Sequence, residues 1–556
     1  MDRLLVFSLL IPILLQSQFL PAQSLSPKMV EAIDEVFAQH DNYQSPGAAL
    51  AVVQKGKIVY SRGYGMADLE HALRIQPNTV FYIGSVSKMF VTACILLLEE
   101  EGKVDLDADV REYLPELPDY GYKLTLRNFI HHTSGIRDYL QMWDMKGRSA
   151  MDEIQEQDVL DLICAQKELN FEPGTRYLYS NSCYFIMAQI VNRVSGKSIR
   201  EYGQEKIFGP LGMTHTQFYD DNRILIKNRA FGYGPWGGNG FQNMMMRFDL
   251  VGSGGIYSTV EDLYKWDQNF YHNILGKGGQ ELIEKMLTSG TFNDGSEIGY
   301  AYGIDVGSYR GLKAIGHGGA LAGYRAEFRQ YPEQESSVII LSNVSNFNPG
   351  QKASKVADIL LKEAFPPEPE ATPENMPAIT EMSEKQLQKY LGHYWNDWDG
   401  NTREIILEDG SLFYKRGRVS RTKLMPHAEN RFFMEGISPA VWVEFEAGGL
   451  KVIQEGQPNA ILTRYEPVEP DLKEIQALAG TYHAPELGTD YELVEKDGKL
   501  HLLFGPRPIP FDPVMKDVFK QDFVGVIKVE RDKKGRLQQV RLDAGRVRKL
   551  AMVKTD

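Results

Sequence analysis

The sequence predicts an α+β domain followed by two small, barrel-like all-β modules. Three observations predict it. Helical and alternating apolar patterns are mixed over residues 27–365. A Pro-rich acidic stretch then breaks all periodicity, and the chain beyond it repeats itself at a separation of 88 residues.

The composition fits a folded chain: 43% of the 556 residues are hydrophobic and 24% charged, enough to bury a sizeable core. The 61 basic and 74 acidic residues leave a net charge of −13, without a Lys/Arg-rich run. A nucleic-acid partner is excluded on that ground, because neutralising phosphates needs a basic face.

Residues 1–22 read as a secretory signal peptide. Arg3 precedes the apolar stretch Leu4–Leu15, and the segment turns polar and ends on Ala22. The stretch is too short for a membrane span, which needs about 20 residues. The mature protein is therefore expected to be exported, periplasmic or extracellular, without a stable span. Cys94, Cys164 and Cys183 cannot make a disulfide framework for a chain of this length. With no CxxC or HExxH string, neither a metal nor another cofactor is implied.

Within 27–365, Ala48–Gln54 and Lys57–Arg62 alternate around Lys55-Gly56 and predict a hairpin. Ser85–Glu101 predicts a helix stopped by Gly102. Glu327–Tyr331 and Val338–Ser342, joined through Pro332–Glu335, predict a second hairpin, and Lys352–Phe365 a closing amphipathic helix. The linker spans 366–379, with five prolines among glutamates. Two modules come after it, 380–467 and 470–556. Leu391-Gly392-His393-Tyr394 aligns with Ala479-Gly480-Thr481-Tyr482, and Asp409-Gly410 with Asp497-Gly498. Short strands with Asp-Gly turns are most economically closed into barrels that hide their edges, serving as scaffold or shield rather than in catalysis.

The chemistry concentrates in three strings. Ser85 and Lys88 form S-x-x-K at a helix start, three apart on one face, so a buried, uncharged Lys88 amine would reach the Ser85 hydroxyl. Tyr179-Ser180-Asn181 puts a phenol able to relay a proton beside an amide able to bind a substrate carbonyl. In Ile315-Gly316-His317-Gly318-Gly319-Ala320, glycines let substrate lie against the backbone. The Ala320 amide would complete an oxyanion hole, with His317 projecting toward the reacting group. Each string alone is weak. The Gly-rich aromatic segment Phe231–Phe241 is either a wall of the cleft or a plain surface loop.

Together these strings resemble the serine β-lactamase and penicillin-binding-protein family, in particular its branch of class C β-lactamases, D-amino-acid-releasing peptidases and esterases. Gly63–Asp68, His132-Thr133-Ser134-Gly135, Phe208–Met213 and Gly252–Ile256 also fall where that branch has similar strings. The resemblance implies a β-lactamase/transpeptidase-like domain, an antiparallel sheet flanked by helices plus an all-helical region. Ser85 would be the nucleophile, Lys88 its base and Tyr179 the proton shuttle. The Ser85 and Ala320 amides would form the oxyanion hole, and Asn181 and Gly319 would contact substrate.

One departure stands out. His317-Gly318-Gly319 replaces the family's Lys-Thr-Gly, and a histidine with a reference pKa of about 6.5 holds a substrate carboxylate poorly at neutral pH. The family's H-x-G members are D-aminopeptidases and esterases, and the two-module tail is similar to the D-aminopeptidase arrangement. In that arrangement a barrel segment narrows the cleft and selects a free amine; the sequence does not say which residues would do so here.

The expected function is an exported serine hydrolase acting on small-molecule or peptide substrates, as a D-amino-acid-type peptidase, amidase or esterase. β-Lactamase or D-Ala-D-Ala carboxypeptidase activity, and a non-catalytic binding protein on the same fold, are the alternatives. The natural substrate and oligomeric state stay open.

Overall fold

The computed structural model describes residues 25–367 and 380–555, apart from 150, 239, 418–419, 438–439, 455–458 and 505–506. The expected signal segment, and the linker from 368 onward, lie outside the described residues.

Helix α1 (Pro27–Phe37) starts where the Ser26 hydroxyl accepts the Met29 N–H and Pro27 supplies a preset φ. Strands β1 (Ala48–Gln54) and β2 (Lys57–Tyr64) form the first expected hairpin. Lys55 and Gly56 both take positive φ in the turn, which matches the strands' right-handed twist. Then come α2 (Ser87–Glu100) and α3 (Asn181–Ser195). The sheet resumes with β3 (Asp305–Tyr309), β4 (Leu312–Leu321), β5 (Tyr324–Tyr331) and β6 (Ser336–Ser342), and α4 (Pro349–Leu360) closes the domain.

The six strands make one antiparallel sheet in the order β3-β4-β5-β6-β1-β2. Its two halves, far apart in the chain, join where Ala48 pairs with Ser342. Period-two alternation sends Leu50, Val52, Val338 and Ile340 toward one core with Ile33 and Phe37 of α1 and Val356 of α4. Ala49, Ala51, Val53, Ile339 and Leu341 join the other core, with α2. Helix α2 is buried from Ser87 to Leu98, as its all-round apolar sequence requires, and α3 packs beside it.

Some boundaries differ from expectation. Ser85 sits in a 3-10 turn, Gly84–Val86, just before α2. Strand β4 runs well beyond Ile315–Ala320 because its glycines conceal the alternation. Helix α4 begins earlier than Lys352, since Asn348 caps it and Pro349 fits its first turn, and it ends at Leu360. Segment 231–241 forms part of a small hairpin, Tyr233–Trp236 with Gly240–Asn243.

Both C-terminal modules are closed eight-stranded barrels, from Gly392–Trp395 to Ala460–Tyr465 and from Gly480–Ala484 to Val547–Lys554. The repeat extends to single bonds: Tyr394 OH donates to Tyr390 O, and Tyr482 OH to Leu478 O, both at 2.8 Å. Asp409-Gly410 and Asp497-Gly498 make the same positive-φ turn.

The second barrel docks on the helical region. Arg137, fully buried, pairs with Glu486 and donates from Nε and Nη2 to Arg548 O at 3.1 and 2.9 Å. Tyr491 OH donates to Met145 O at 2.6 Å. Asn170 brackets the last hairpin, its Nδ2 donating to Arg546 O at 3.0 Å and its Oδ1 accepting Arg548 N at 2.7 Å. Among the described residues, no helix is long and apolar enough to cross a membrane.

Candidate active site

Glycines bring the Ser85 turn and β4 into backbone contact. A Cβ on Gly319 would lie 2.0 Å from Ile83 O, and one on Gly84, at φ +56°, would lie 2.7 Å from Ala320 N. Only residues without side chains permit this approach. It sets Ser85 and Ala320 on the wall of one cavity of about 700 Å³, with Tyr179, Asn181, Ser253 and His317. Ser85 is partly exposed there, so a ligand can reach it.

Lys88, on the first turn of α2, is wholly buried. Its Nζ lies 3.0 Å from Ser85 Oγ, 3.0 Å from Asn181 Oδ1 and 2.6 Å from Ser253 O. Burial pushes its pKa well below the ordinary lysine value; Asp138 opposes this and Arg546 reinforces it. An uncharged amine has two N–H donors and one lone pair. Asn181 and Ser253 take the donors, which leaves the lone pair for the Ser85 hydroxyl. The arrangement can thus withdraw a proton from Ser85.

Tyr179 lies on the extended segment leading into α3 and lines the cavity with Ser85, its ring centroid 4.7 Å from Lys88 Nζ. Burial raises its pKa, with Ser85 and Arg546 acting in opposition, so the phenol keeps its proton near neutral pH. His132, at φ +57°, packs against the Tyr179 ring with centroids 4.3 Å apart and planes tilted by 36°, and accepts the Ser180 N–H at Nδ1, 3.0 Å away. The His132-Thr133-Ser134-Gly135 string therefore positions the phenol.

Asn181 has an internal role beyond the expected substrate contact. Its backbone N–H and Nδ2 donate to Asp138 Oδ2 at 2.7 and 2.8 Å, while Oδ1 faces Lys88. Asp138 also caps a neighbouring helix through Gln141 N, 3.0 Å from Oδ1.

His317 departs from expectation. Its Nδ1 is 2.6 Å from Gly318 O and its Nε2 3.1 Å from Tyr300 OH. With Nδ1–H donating and Nε2 accepting, neither nitrogen remains to serve the reacting group. Burial lowers its pKa to about 3, reinforced by Lys88, so it is a neutral wall at physiological pH. This has an effect on stability. Below the unfolded value of 6.5 the unfolded imidazole takes up a proton that the folded one refuses until about pH 3, so stability falls as pH drops through that window. His131, lowered to about 4 by burial, adds to the same slope. Urea unfolding at pH 7 and 4.5 is expected to show a smaller loss in His317→Gln than in wild type; equal losses would refute this account of the ring.

Spacing does not reveal Asp138, the Ser253 carbonyl or Arg546 as parts of the site. Asp138 carries an ordinary helix-start signal but nothing marking it as the partner of Asn181. Arg546, from the turn between the last two strands of the second barrel, enters the cavity, with Cζ 4.8 Å from the Tyr179 ring centroid. The tail is thus more than scaffold or shield. The described residues of Phe231–Phe241 do not line this cavity, and Trp236 is exposed. Among the described residues, no group of three His, Cys, Asp or Glu side chains is placed to hold a metal.

This fold and this site define a serine hydrolase, and residues 33–361 match the Beta-lactamase family: the chain belongs to it. It is 26% identical over 500 residues to a D-aminopeptidase of Cereibacter sphaeroides, covering 88% of this chain and 90% of that protein. Its fold is also that of the octameric penicillin-binding protein homologue from Pyrococcus abyssi, with 24% identity, TM-score 0.54 and coverage of 78% of this chain and 99% of that one. The D-amino acid amidase of Ochrobactrum anthropi has 20% identity and TM-score 0.52, covering 60% and 99%.

Proposed function

We propose that this protein is exported and cleaves amide or ester bonds through an acyl-enzyme on Ser85. D-Amino-acid amides and peptides are the first substrate class and short acyl esters the second. The observation that carries the reading is the fully buried Lys88 amine, 3.0 Å from Ser85 Oγ and tied by Asn181 Oδ1 and Ser253 O, where burial pushes its pKa well below the ordinary lysine value.

In acylation, Ser85 Oγ bonds to the carbonyl carbon while its proton passes to Lys88. The oxyanion is met by the Ser85 and Ala320 amides. As the carbon–nitrogen or carbon–oxygen bond breaks, Tyr179 protonates the leaving group and regains a proton from Lys88. Water then attacks the acyl ester; its proton returns through the same groups to Ser85 Oγ, and the acid is released.

The neutral, fully engaged His317 supports amidase or esterase activity over β-lactamase or carboxypeptidase activity, which use a fixed cation for a substrate carboxylate at this position. The similarity to a D-aminopeptidase over most of both chains supports the substrate class. Export rests on the pattern of residues 1–22.

A panel of nitrocefin, D-alanyl amides with free and acylated amines, a D-Ala-D-Ala peptide and acyl esters tests the reading. Turnover is expected on D-alanyl amides or esters. Turnover confined to nitrocefin or the D-Ala-D-Ala peptide would overturn the substrate class. Acylation without turnover on any member would favour a binding protein.

A further inference from the structure

The second barrel places a positive charge inside the catalytic cavity. Residues Gly545 and Arg546 form the turn between Leu537–Ala544 and Val547–Lys554, with Gly545 at φ +54°. The turn and the strand leaving it are fixed to the catalytic domain, by Asn170 at Arg546 O and Arg548 N and by Arg137 at Arg548 O. The guanidinium therefore belongs to the cavity by construction of the interface.

Its surroundings leave it available to a ligand. The guanidinium lies over the Tyr179 ring, a contact that uses none of its N–H donors. Among the described residues its side chain makes one hydrogen bond, Nη1 to Asp138 Oδ2 at 3.4 Å, a long contact. Asp138 already receives three shorter bonds, from Asn181 N, Asn181 Nδ2 and Gln141 N, so its ion pair with Arg546 is a single long contact through Nη1 that leaves the other guanidinium donors unused. The side chain is 43% exposed to the cavity and solvent.

The other charged groups on the wall are Arg325 and Glu327. Arg325 donates from Nη1 alone, to Ala322 O and Tyr324 O at 3.0 and 2.6 Å, which ties it to its own turn, and Glu327 pairs with Arg329 at 2.5 Å. A substrate whose only charge is a free amine would meet a like charge on the wall of the cavity that holds Ser85. A substrate carboxylate would find a planar, multi-donor partner, suited to two parallel hydrogen bonds.

We propose that Arg546 is the specificity residue of this enzyme, anchoring a carboxylate on the substrate, and that anionic substrates are selected over those bearing only a free amine. This rests on the Ser85 acyl-enzyme reading and narrows its substrate class. It also assigns the second barrel a share in recognition, at a place on the cavity wall other than that of His317.

Two substrate series test it. D-Alanine p-nitroanilide with a free, N-acetylated or N-succinylated amine varies charge on the acyl side. Phenyl acetate against 3-carboxyphenyl acetate varies it on the leaving side. In at least one series the carboxylate member is expected to exceed its neutral counterpart in kcat/KM by roughly 10- to 100-fold, the range of a charge-assisted hydrogen bond.

Arg546→Gln is expected to bring that ratio close to one, Arg546→Lys to retain part of it, and Arg546→Glu to shift preference toward the free amine. Wild-type ratios near one in both series, or a wild-type preference for the free amine, would overturn the proposal without any variant. A ratio unchanged in Arg546→Gln would overturn it equally. Full turnover in Ser85→Ala would instead remove the nucleophile reading on which the proposal rests.

Discussion

Ser85→Ala is expected to lower kcat/KM on any amide or ester the enzyme turns over by about four to six orders of magnitude. The loss is that large because Lys88 draws its proton from the Ser85 oxygen, and Tyr179 has a leaving group to protonate only after that oxygen has attacked. Without it, the paired amides and the cavity retain binding but form no covalent intermediate. The side chain is small and partly exposed at a turn, so the fold should survive, with an unchanged near-ultraviolet circular dichroism spectrum. A variant that keeps more than a few per cent of wild-type turnover would place the nucleophile elsewhere.

Lys88→Met carries the second largest effect, a loss of about two to four orders of magnitude in the acylation rate, the usual worth of a positioned general base. Methionine matches the length and fits a fully buried position, but it provides neither the lone pair for Ser85 nor the N–H donors for Asn181 Oδ1 and Ser253 O. The pH dependence separates a base from a spacer. Lys88 is active without its proton, so wild-type acylation should rise with pH, with its midpoint well below the ordinary lysine value of 10.5 because burial dominates the shift. The methionine variant should lack that rising limb. The same limb in both proteins would assign the base to another group.

The legible parts of the fold and site are those encoded at short range. Lys55-Gly56 marks one hairpin, the paired Asp-Gly turns mark the repeat, and the spacing of Ser85 and Lys88 sets one helical turn between them. Tyr179 and Asn181 share a string for the same reason. The rest depends on contacts with no local period. Pairing of Ala48 with Ser342 assembles the sheet from the two ends of the domain. Asp138 meets Arg546 across 408 positions, and Lys88 finds the Ser253 carbonyl across 165. A backbone carbonyl has no residue-type signature, so nothing in the sequence singles out Ser253 for this role. His317 differs from its expected role for another reason: Tyr300 takes its Nε2, and Tyr300 lies in no string that spacing marks.

The most direct test of the central claim is to trap the acyl-enzyme. The protein is treated with a fluorophosphonate or penicillin-type acylating probe, digested, and the adduct located by tandem mass spectrometry. One modification per chain is predicted, on Ser85, absent from Ser85→Ala and formed much more slowly in Lys88→Met. Stoichiometric modification of any other residue, or labelling that persists in Ser85→Ala, would contradict the account.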